Sequence, residues 1–550
     1  MPAKPPSGGG RNVSRREFIR TSAFVGGSGV VGSAAVARAA APPAPAQLRG
    51  GGLDVRDFGA VGDGRTDDTP ALQAALDAAD RLGGGRVSLP AGTWRSGTLH
   101  LRSRVTLELT AGAVLLASRN GDDFDAPDAP GFATRSDVET VDFAHGLLTG
   151  RDLERVAIVG QGVVDMNRRA RSGPKPIALK RCRFVTIQGV TILHAPNYGV
   201  SLGGCDDVLV DGVTIRHAYA DGIDPDCCRR VRISNCDIEA DDDALCLKTS
   251  FLLGRRATTE DVVVTNCRMR SPSNCFKLGT ESSGDFRQIA VSNCVFSGRL
   301  PDDHDASAAA EGGGIAILTV DGGTIDGVLV SNVVMSDVPA PIFVRLGNRG
   351  RDQEQRVPGR LRNVSISGVL ATGAVGTGSI CGLPGHPIER LTLDNVRITS
   401  SGGARRVGGL DVPERADDYP RVTMYGALPA FGLYVRHAQE TVLRNVTLDV
   451  ERPDARAALV ADDVAGLRVT SVSGTSGKGG GPSVWLNDVR DGVVQGNTAF
   501  AEERGVFLRV SGERTRSVVL VGARSPATGP LDLAPNLDPG AVTHVADMGM

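Results

Sequence analysis

Aromatic side chains make up only 4% of this 550-residue chain, with two Trp and five Tyr. So few flat rings disfavour a surface built solely to stack on sugars. Charge of one sign is also missing: 61 Lys and Arg against 63 Asp and Glu leave a formal charge of −2, which offers no basic field for a nucleic acid. No run approaches about eighteen apolar residues without Gly or Ser interrupting it, so no integral-membrane helix is expected. None of the eight His pairs at metal-ligand spacing or adjoins a nucleophile as in a triad. Neither a cofactor nor a metal site is assigned.

What is present is 41% hydrophobic and 23% charged, a balance that gives a globular chain with a large core. The N-terminus carries Ser14-Arg15-Arg16-Glu17-Phe18-Ile19, a mildly apolar Gly-rich segment from Thr21 to Val36, and Ala37-Arg38-Ala39. That order of n-region, h-region and cleavage site is expected for a twin-arginine signal peptide over residues 1–41. The twin-arginine export machinery is then a partner, and the mature chain is expected to be periplasmic or extracellular.

Short phrases recur along the remainder: TIQGV (186–190), VDGV (210–213), RISNC (232–236), VVTNCRM (263–269), AVSNC (290–294), LVSNV (329–333), SISGV (365–369), TLDNV (392–396) and LRNV (443–446). The Gly/Asn positions 189, 212 and 235 are spaced by 23 residues, and later intervals stretch. Each unit is strand-like with a Gly, Asn or Asp bend, and such units must stack on their neighbours to bury a face. The pattern predicts an all-β right-handed parallel β-helix with coils about 4.8 Å apart. Val190, Val213, Cys236, Cys267, Cys294, Val333, Val369, Val396 and Val446 form one column, and Cys182, Cys205 and Cys228 another. Cysteine alternating with valine acts as a small hydrophobe, so the ten Cys are weak evidence for disulfides. Asn235, Asn266, Asn293 and Asn332 form a companion column. Thr69-Pro70 opens a short amphipathic helix with Ala71, Leu72, Ala75, Leu76, Ala79 and Leu82 on one face, stopped by Gly83. This helix is expected to cap the solenoid within an N-terminal block, 42–97, ahead of coils spanning 98–550 as a single domain. Residues 401–430 form a long insertion.

The stretch DGIDPDCCRRVRISNCDIEADDDALCLKTS (221–250) crowds carboxylates among core-like residues. In the coil register, Val200, Ile223, Leu245 and Phe276 point inward. Two places before them, Tyr198, Asp221, Asp243 and Asn274 form an exposed column with Asp242 beside it. Asp224, Cys246, Lys277 and Ala316 form the next outward column. Two carboxylates one coil apart do not both ionise at their usual pKa without cost. With a third beside them they supply an acid and a base, which glycosidic hydrolysis requires. A Ca²⁺ site and solvated bend residues are the alternatives, and Asp226, Asp237 and Glu239 are read as solvated bends.

These residues resemble glycoside hydrolase family 28, the polygalacturonase family. DVRDFGAVGDGRTDDTPALQAALDAA (54–79) is similar to its N-terminal block, and 221–250 to its central block. The N-T-D motif falls on Tyr219-Ala220-Asp221 and the D-D motif on Asp242-Asp243. The resemblance implies a pectin lyase-like solenoid and an inverting hydrolase, with Asp242 as general acid and Asp221 and Asp243 holding the water. Three positions depart from the family. Its G-H-G histidine is Asn274, its R-I-K motif falls on Ala316-Ile317-Leu318, and the Asn of N-T-D is Tyr219. The basic grip on a uronate carboxylate is thereby missing.

Lys277 and Lys248 are the candidate replacements for that charge, with pairing of Lys277 to Asp224 or Glu281 as the plainer alternative. Tyr198, Asn274, Glu281 and Arg345 complete the candidate substrate-binding set. Tyr219 and His437 are further groove candidates. The expected function is hydrolysis of a pectic, galacturonate- or rhamnose-containing polysaccharide. A lyase or epimerase using Lys248 or Lys277 as base, and a non-catalytic carbohydrate-binding solenoid, are the rivals. Inserted loops at 299–313 and 401–430 are expected to close one groove end.

Overall fold

The recurrent Gly/Asn of the repeat is a left-handed backbone bend. The computed structural model describes residues 52–300, 311–475, 481–495, 500–501, 506–522 and 531–545. In it Gly189, Gly212, Asn235, Asn266, Asn293, Asn332, Gly368, Asn395 and Asn445 all have φ between 52° and 75°. An ordinary L-residue pays about 1–2 kcal/mol there, whereas Gly has no Cβ and Asn tolerates the region. The bend turns the chain so that the following Val or Cys enters the core, and that column is buried throughout.

Strands one coil apart pair in parallel. Val333 lies beside Val369, Val369 beside Val396 and Val396 beside Val446. The described residues contain 41 strands linked in this way, and the molecule is a right-handed parallel β-helix of the pectin lyase-like kind. The ten cysteines are free and buried. Nine of the thiols donate to nearby carbonyls, as Cys205 Sγ does to Leu179 O at 3.3 Å.

Two expectations need correcting at the N-terminal end. The ladder starts well before Thr98, because Gly52–Asp54 pairs with Gly85–Leu89, which pairs with Val105–Leu109. The helix Thr69–Arg81 is inserted among these first strands and buries Leu72, Ala75, Leu76 and Ala79 in the solenoid core. Leu82 does not join that face. It follows the last helical turn, where the chain leaves the core, and is 58% exposed. The expected signal peptide, 1–41, lies outside the described residues. Among the described residues no helix is long and apolar enough to cross a membrane.

The insertion between the strands Ile388–Gly402 and Ala430–Gln439 folds back over the outer face of the coils. Val412, Tyr425 and Leu428 pack there with Phe343 and Tyr434 in an apolar cluster separate from the main core. This outer layer converts a strand face into the wall of a cleft.

Candidate active site

Four strands in step build the floor. Ile223 pairs with Leu245, Leu245 with Phe276 and Phe276 with Ile315, and these side chains fill the core. Just before each strand the backbone steps upward by one hydrogen bond: Gly199 N–H to Asp221 O, Gly222 N–H to Asp243 O and Ala244 N–H to Asn274 O, each 2.9 Å. Tyr198, Asp221, Asp243 and Asn274 therefore stack in the expected column. An oxygen from each of Asp221, Asp242 and Asp243 lies within 4.8 Å of the others.

The column is not exposed as expected. Tyr198, Asp221, Asp243 and Asn274 are all buried, because loops cover the outer face of these coils. Strand alternation fixes which side chains point outward but says nothing of what packs on them. Asp226 and Glu239, read as solvated bends, are buried as well. Asp226 accepts from Ser250 N–H at 2.8 Å and from the Ser250 hydroxyl at 2.5 Å. Glu239 pairs with Arg270 and Arg216. Asp237 is partly exposed and bridges Arg216 and Arg268.

Buried charge here is matched by buried charge. Lys248 Nζ donates to Asp221 Oδ2 at 2.7 Å and Asp224 Oδ2 at 3.0 Å. Lys277 Nζ donates to Asp243 Oδ2 at 2.7 Å, while Asn274 Nδ2 donates to Asp243 Oδ1 at 2.6 Å. Lys277 thus pairs with neither Asp224 nor Glu281, and Lys248 points into this network rather than outward. Glu281 lies against Arg351 at 3.2 Å and Arg349 at 3.5 Å. The carboxylate oxygens are close enough to hold a cation. Two ammonium groups already meet the demand of Asp221, Asp224 and Asp243, so the donor set is a poor fit to a Ca²⁺ ion that seeks six to eight free oxygens.

Burial pushes the Asp221 carboxyl well up, and neighbouring Asp224 pushes in the same direction against Lys248. Burial likewise lifts Asp224, to about 6, with Lys248 opposing. Asp242 goes the other way. Burial would raise it, but Lys277 and Arg171 together outweigh burial and hold it below the usual carboxylate value. Closely spaced acids whose environments push them apart supply one group that keeps its proton and one that loses it.

A cleft of about 490 Å³ opens in front of this cluster. Asp242, Asn274 and Lys277 reach it, with Tyr219, Arg169, Arg171, Glu311, Tyr419 and Arg421 around them. Asp221 and Asp243 form the layer behind. Both inserted loops contribute: Val422 N–H donates to Glu311 O at 3.0 Å, and Arg421 pairs with the Glu311 carboxylate.

Lys248 and Glu281, in the buried charge network, do not line the cleft, and three further candidates are placed elsewhere. The Tyr198 ring lies under the Lys248 ammonium at 3.9 Å from its centroid and is not part of the cleft lining. Arg345 is buried, with its guanidinium engaged by the carbonyls of Gly382 (3.0 Å), Glu414 (2.7 Å) and Arg415 (3.1 Å). It fastens the insertion to the coils. His437 is similarly held, between Asp463 at 2.7 Å and Glu414 at 3.0 Å.

Sequence reasoning missed Arg171, Tyr419 and Arg421. Arg171 Nη1 donates to Asp242 Oδ2 at 2.7 Å, and its Nη2 donates to Glu139 Oε2 at 2.7 Å. Tyr419 OH lies 3.4 Å from Lys277 Nζ. The available signals were weak: a basic run at 168–171 between two strands, and one of only five Tyr standing in the insertion.

Fold and charged cleft together define a carbohydrate-cleaving enzyme built on a parallel β-helix. Residues 158–413 match the model of glycosyl hydrolases family 28, and 52–108 match that of rhamnogalacturonase A/epimerase, pectate lyase-like. Over residues 158–413 the chain is similar to glycosyl hydrolases family 28, and these matches make it a polygalacturonase-like glycoside hydrolase. A probable polygalacturonase of Vitis vinifera is 26% identical over 381 residues, 64% of this chain and 75% of that protein. An exo-poly-alpha-D-galacturonosidase of Dickeya chrysanthemi is 38% identical over 128 residues, 22% of this chain and 20% of that one. The crystal structure of a hyperthermoactive exopolygalacturonase from Thermotoga maritima superposes with a TM-score of 0.56 at 20% identity, over 72% of this chain and 93% of that one. At that identity the likeness concerns the fold alone.

Proposed function

We propose that the protein hydrolyses a pectic polysaccharide containing galacturonate or rhamnose, with inversion at the anomeric carbon, after export by the twin-arginine route. The observation that carries this reading is the meeting of three carboxylates within 4.8 Å at the back of a cleft rimmed by Arg169, Arg171, Lys277 and Arg421. Asp242, at the cleft surface, is held below the usual carboxylate value by Lys277 and Arg171 in the free cleft, so it takes up a proton once substrate is bound and gives it to the glycosidic oxygen as the C1–O bond breaks. Asp243, oriented by Lys277 and Asn274, takes the proton of the attacking water, and Asp221 is its partner in holding that water. The cationic rim takes over the uronate grip absent at Ala316 and Leu318.

The lyase or epimerase reading needs an unprotonated lysine. Burial alone would lower Lys248 and Lys277, but Asp221 and Asp224 around the first and Asp243 beside the second raise both well above the ordinary lysine value. Neither is poised as a base. The test is NMR product analysis on polygalacturonate and rhamnogalacturonan oligosaccharides. Saturated products with inverted anomeric configuration are expected, with kcat reduced by about 10²–10⁴ in Asp242→Asn. Unsaturated products would establish β-elimination instead. Replacing Arg15 and Arg16 by Lys should abolish export of the folded protein; unchanged export would refute the twin-arginine route.

A further inference from the structure

A general acid must enter the reaction with its proton, and in the free cleft Asp242 is bound to a cation. Arg171 stands in the loop between the strands Val163–Asp165 and Lys175–Lys180. Its guanidinium meets Glu139 with two N–H groups, Nη2 to Oε2 at 2.7 Å and Nε to Oε1 at 3.3 Å, and Asp242 with one, Nη1 to Oδ2 at 2.7 Å. The two-pronged contact is the firmer one. Arg171 is thus anchored on Glu139 and turns a single edge to Asp242.

That edge faces the cleft. The Arg171 and Asp242 side chains are 45% and 34% exposed, and both line the cavity beside Arg169. A ligand carboxylate can reach Nη1 without displacing the Glu139 anchor. The other groups acting on Asp242 are Lys277, Lys248, Asp221 and Asp243. Both lysines are held in place by their own carboxylate partners, which leaves the Arg171 Nη1 edge as the contact a ligand can take over.

We propose that Arg171 is a substrate-released latch on Asp242: the carboxylate of a bound uronic acid takes the Nη1 edge, and Asp242 takes up a proton from solvent and becomes the acid. One ion pair breaks, one forms, and one proton enters for each carboxylate bound. The inference rests on the hydrolase reading and deepens it. The sugar carboxylate becomes a condition for the chemistry as well as a handle for binding, so a neutral residue in the same place leaves Asp242 without its proton. Arg171 touches the substrate carboxylate and acts on the reacting bond through Asp242. Only a ligand with different affinity for the latched and unlatched states can shift them, and the carboxylate supplies that difference.

The full-length protein is titrated with galacturonic acid by calorimetry in two buffers of different ionisation enthalpy, from about pH 4 to pH 7. Proton uptake approaching one per galacturonate is expected in the wild type, and close to none in Arg171→Met. In steady state on polygalacturonate, the alkaline limb of kcat/KM, which reports free enzyme, should lie below that of kcat. In Arg171→Met the kcat/KM limb should rise until the two meet, and Arg171→Lys should retain part of the gap. A purely structural role for Arg171 would not move these limbs relative to each other. Galacturonate binding without proton uptake, coincident limbs in the wild type, or an unchanged gap in Arg171→Met would each overturn the latch. If polygalacturonate is still cleaved in such a case, only the latch falls. If no uronate polymer is cleaved at all, the hydrolase reading falls and the latch with it.

Discussion

Replacing Lys248 by Met keeps the length of the side chain and removes one buried ammonium from between two buried carboxylates, at 2.7 Å from Asp221 and 3.0 Å from Asp224. Breaking one side of a buried ion pair costs about 3–5 kcal/mol, because the partner is left charged and desolvated. The cost has a ceiling set by pH. A carboxyl that must be protonated to stay buried adds about 1.36 kcal/mol for each unit between its wild-type folded value and the solution pH, and with Asp224 already raised to about 6 that is about 1.4 kcal/mol at pH 7. The sign follows from the direction of the shift. Without Lys248 both folded-state values rise, so the stability those groups contribute is complete below the unfolded value and is lost as pH increases. Urea unfolding of Lys248→Met should therefore show a deficit of about 1–2 kcal/mol at pH 7 that closes as pH falls through about 6. Wild-type stability at pH 7, or a deficit that does not change on acidification, would refute the claim that the ammonium neutralises this cluster.

Asp226 offers a complementary measurement, because burial raises it from 3.8 to about 6. Its folded form binds protons more readily than the unfolded chain, so wild-type stability should fall between those two pH values. Asp226→Asn, free of that term, should gain about 3 kcal/mol on the wild type across the window and hold the gain above it, read by thermal unfolding against pH. Arg345→Met removes the donor to three buried carbonyls and should loosen the insertion by about 1–3 kcal/mol. Faster proteolytic cutting within 403–429 and a higher KM, with kcat little changed, are the expected readouts. Asn332 occupies a left-handed bend with φ of 55°, so Asn332→Ala should cost about 1 kcal/mol while Asn332→Gly stays close to neutral.

The recurring Asn-Cys, Asn-Val and Gly-Val pairs determined a great deal by themselves. They are local statements: a left-handed bend that Gly or Asn accepts, followed by a residue small enough to enter a narrow core. Repetition of a local rule is what makes a solenoid readable, and it also placed Asp221, Asp243 and Asn274 in one column with Asp242 at its side. Burial of that column was not readable. It depends on Glu311, Tyr419 and Arg421 arriving from insertions that obey no repeat, and on Arg171 crossing from an earlier coil to grip Asp242. Lys277 met Asp243 rather than Asp224 or Glu281 for the same reason, since a long flexible side chain chooses its partner by distance and dielectric in the folded state. Backbone registry follows from short-range sterics written residue by residue, whereas the charge state of a buried carboxylate is set by every ion around it, and only the assembled molecule brings those ions together.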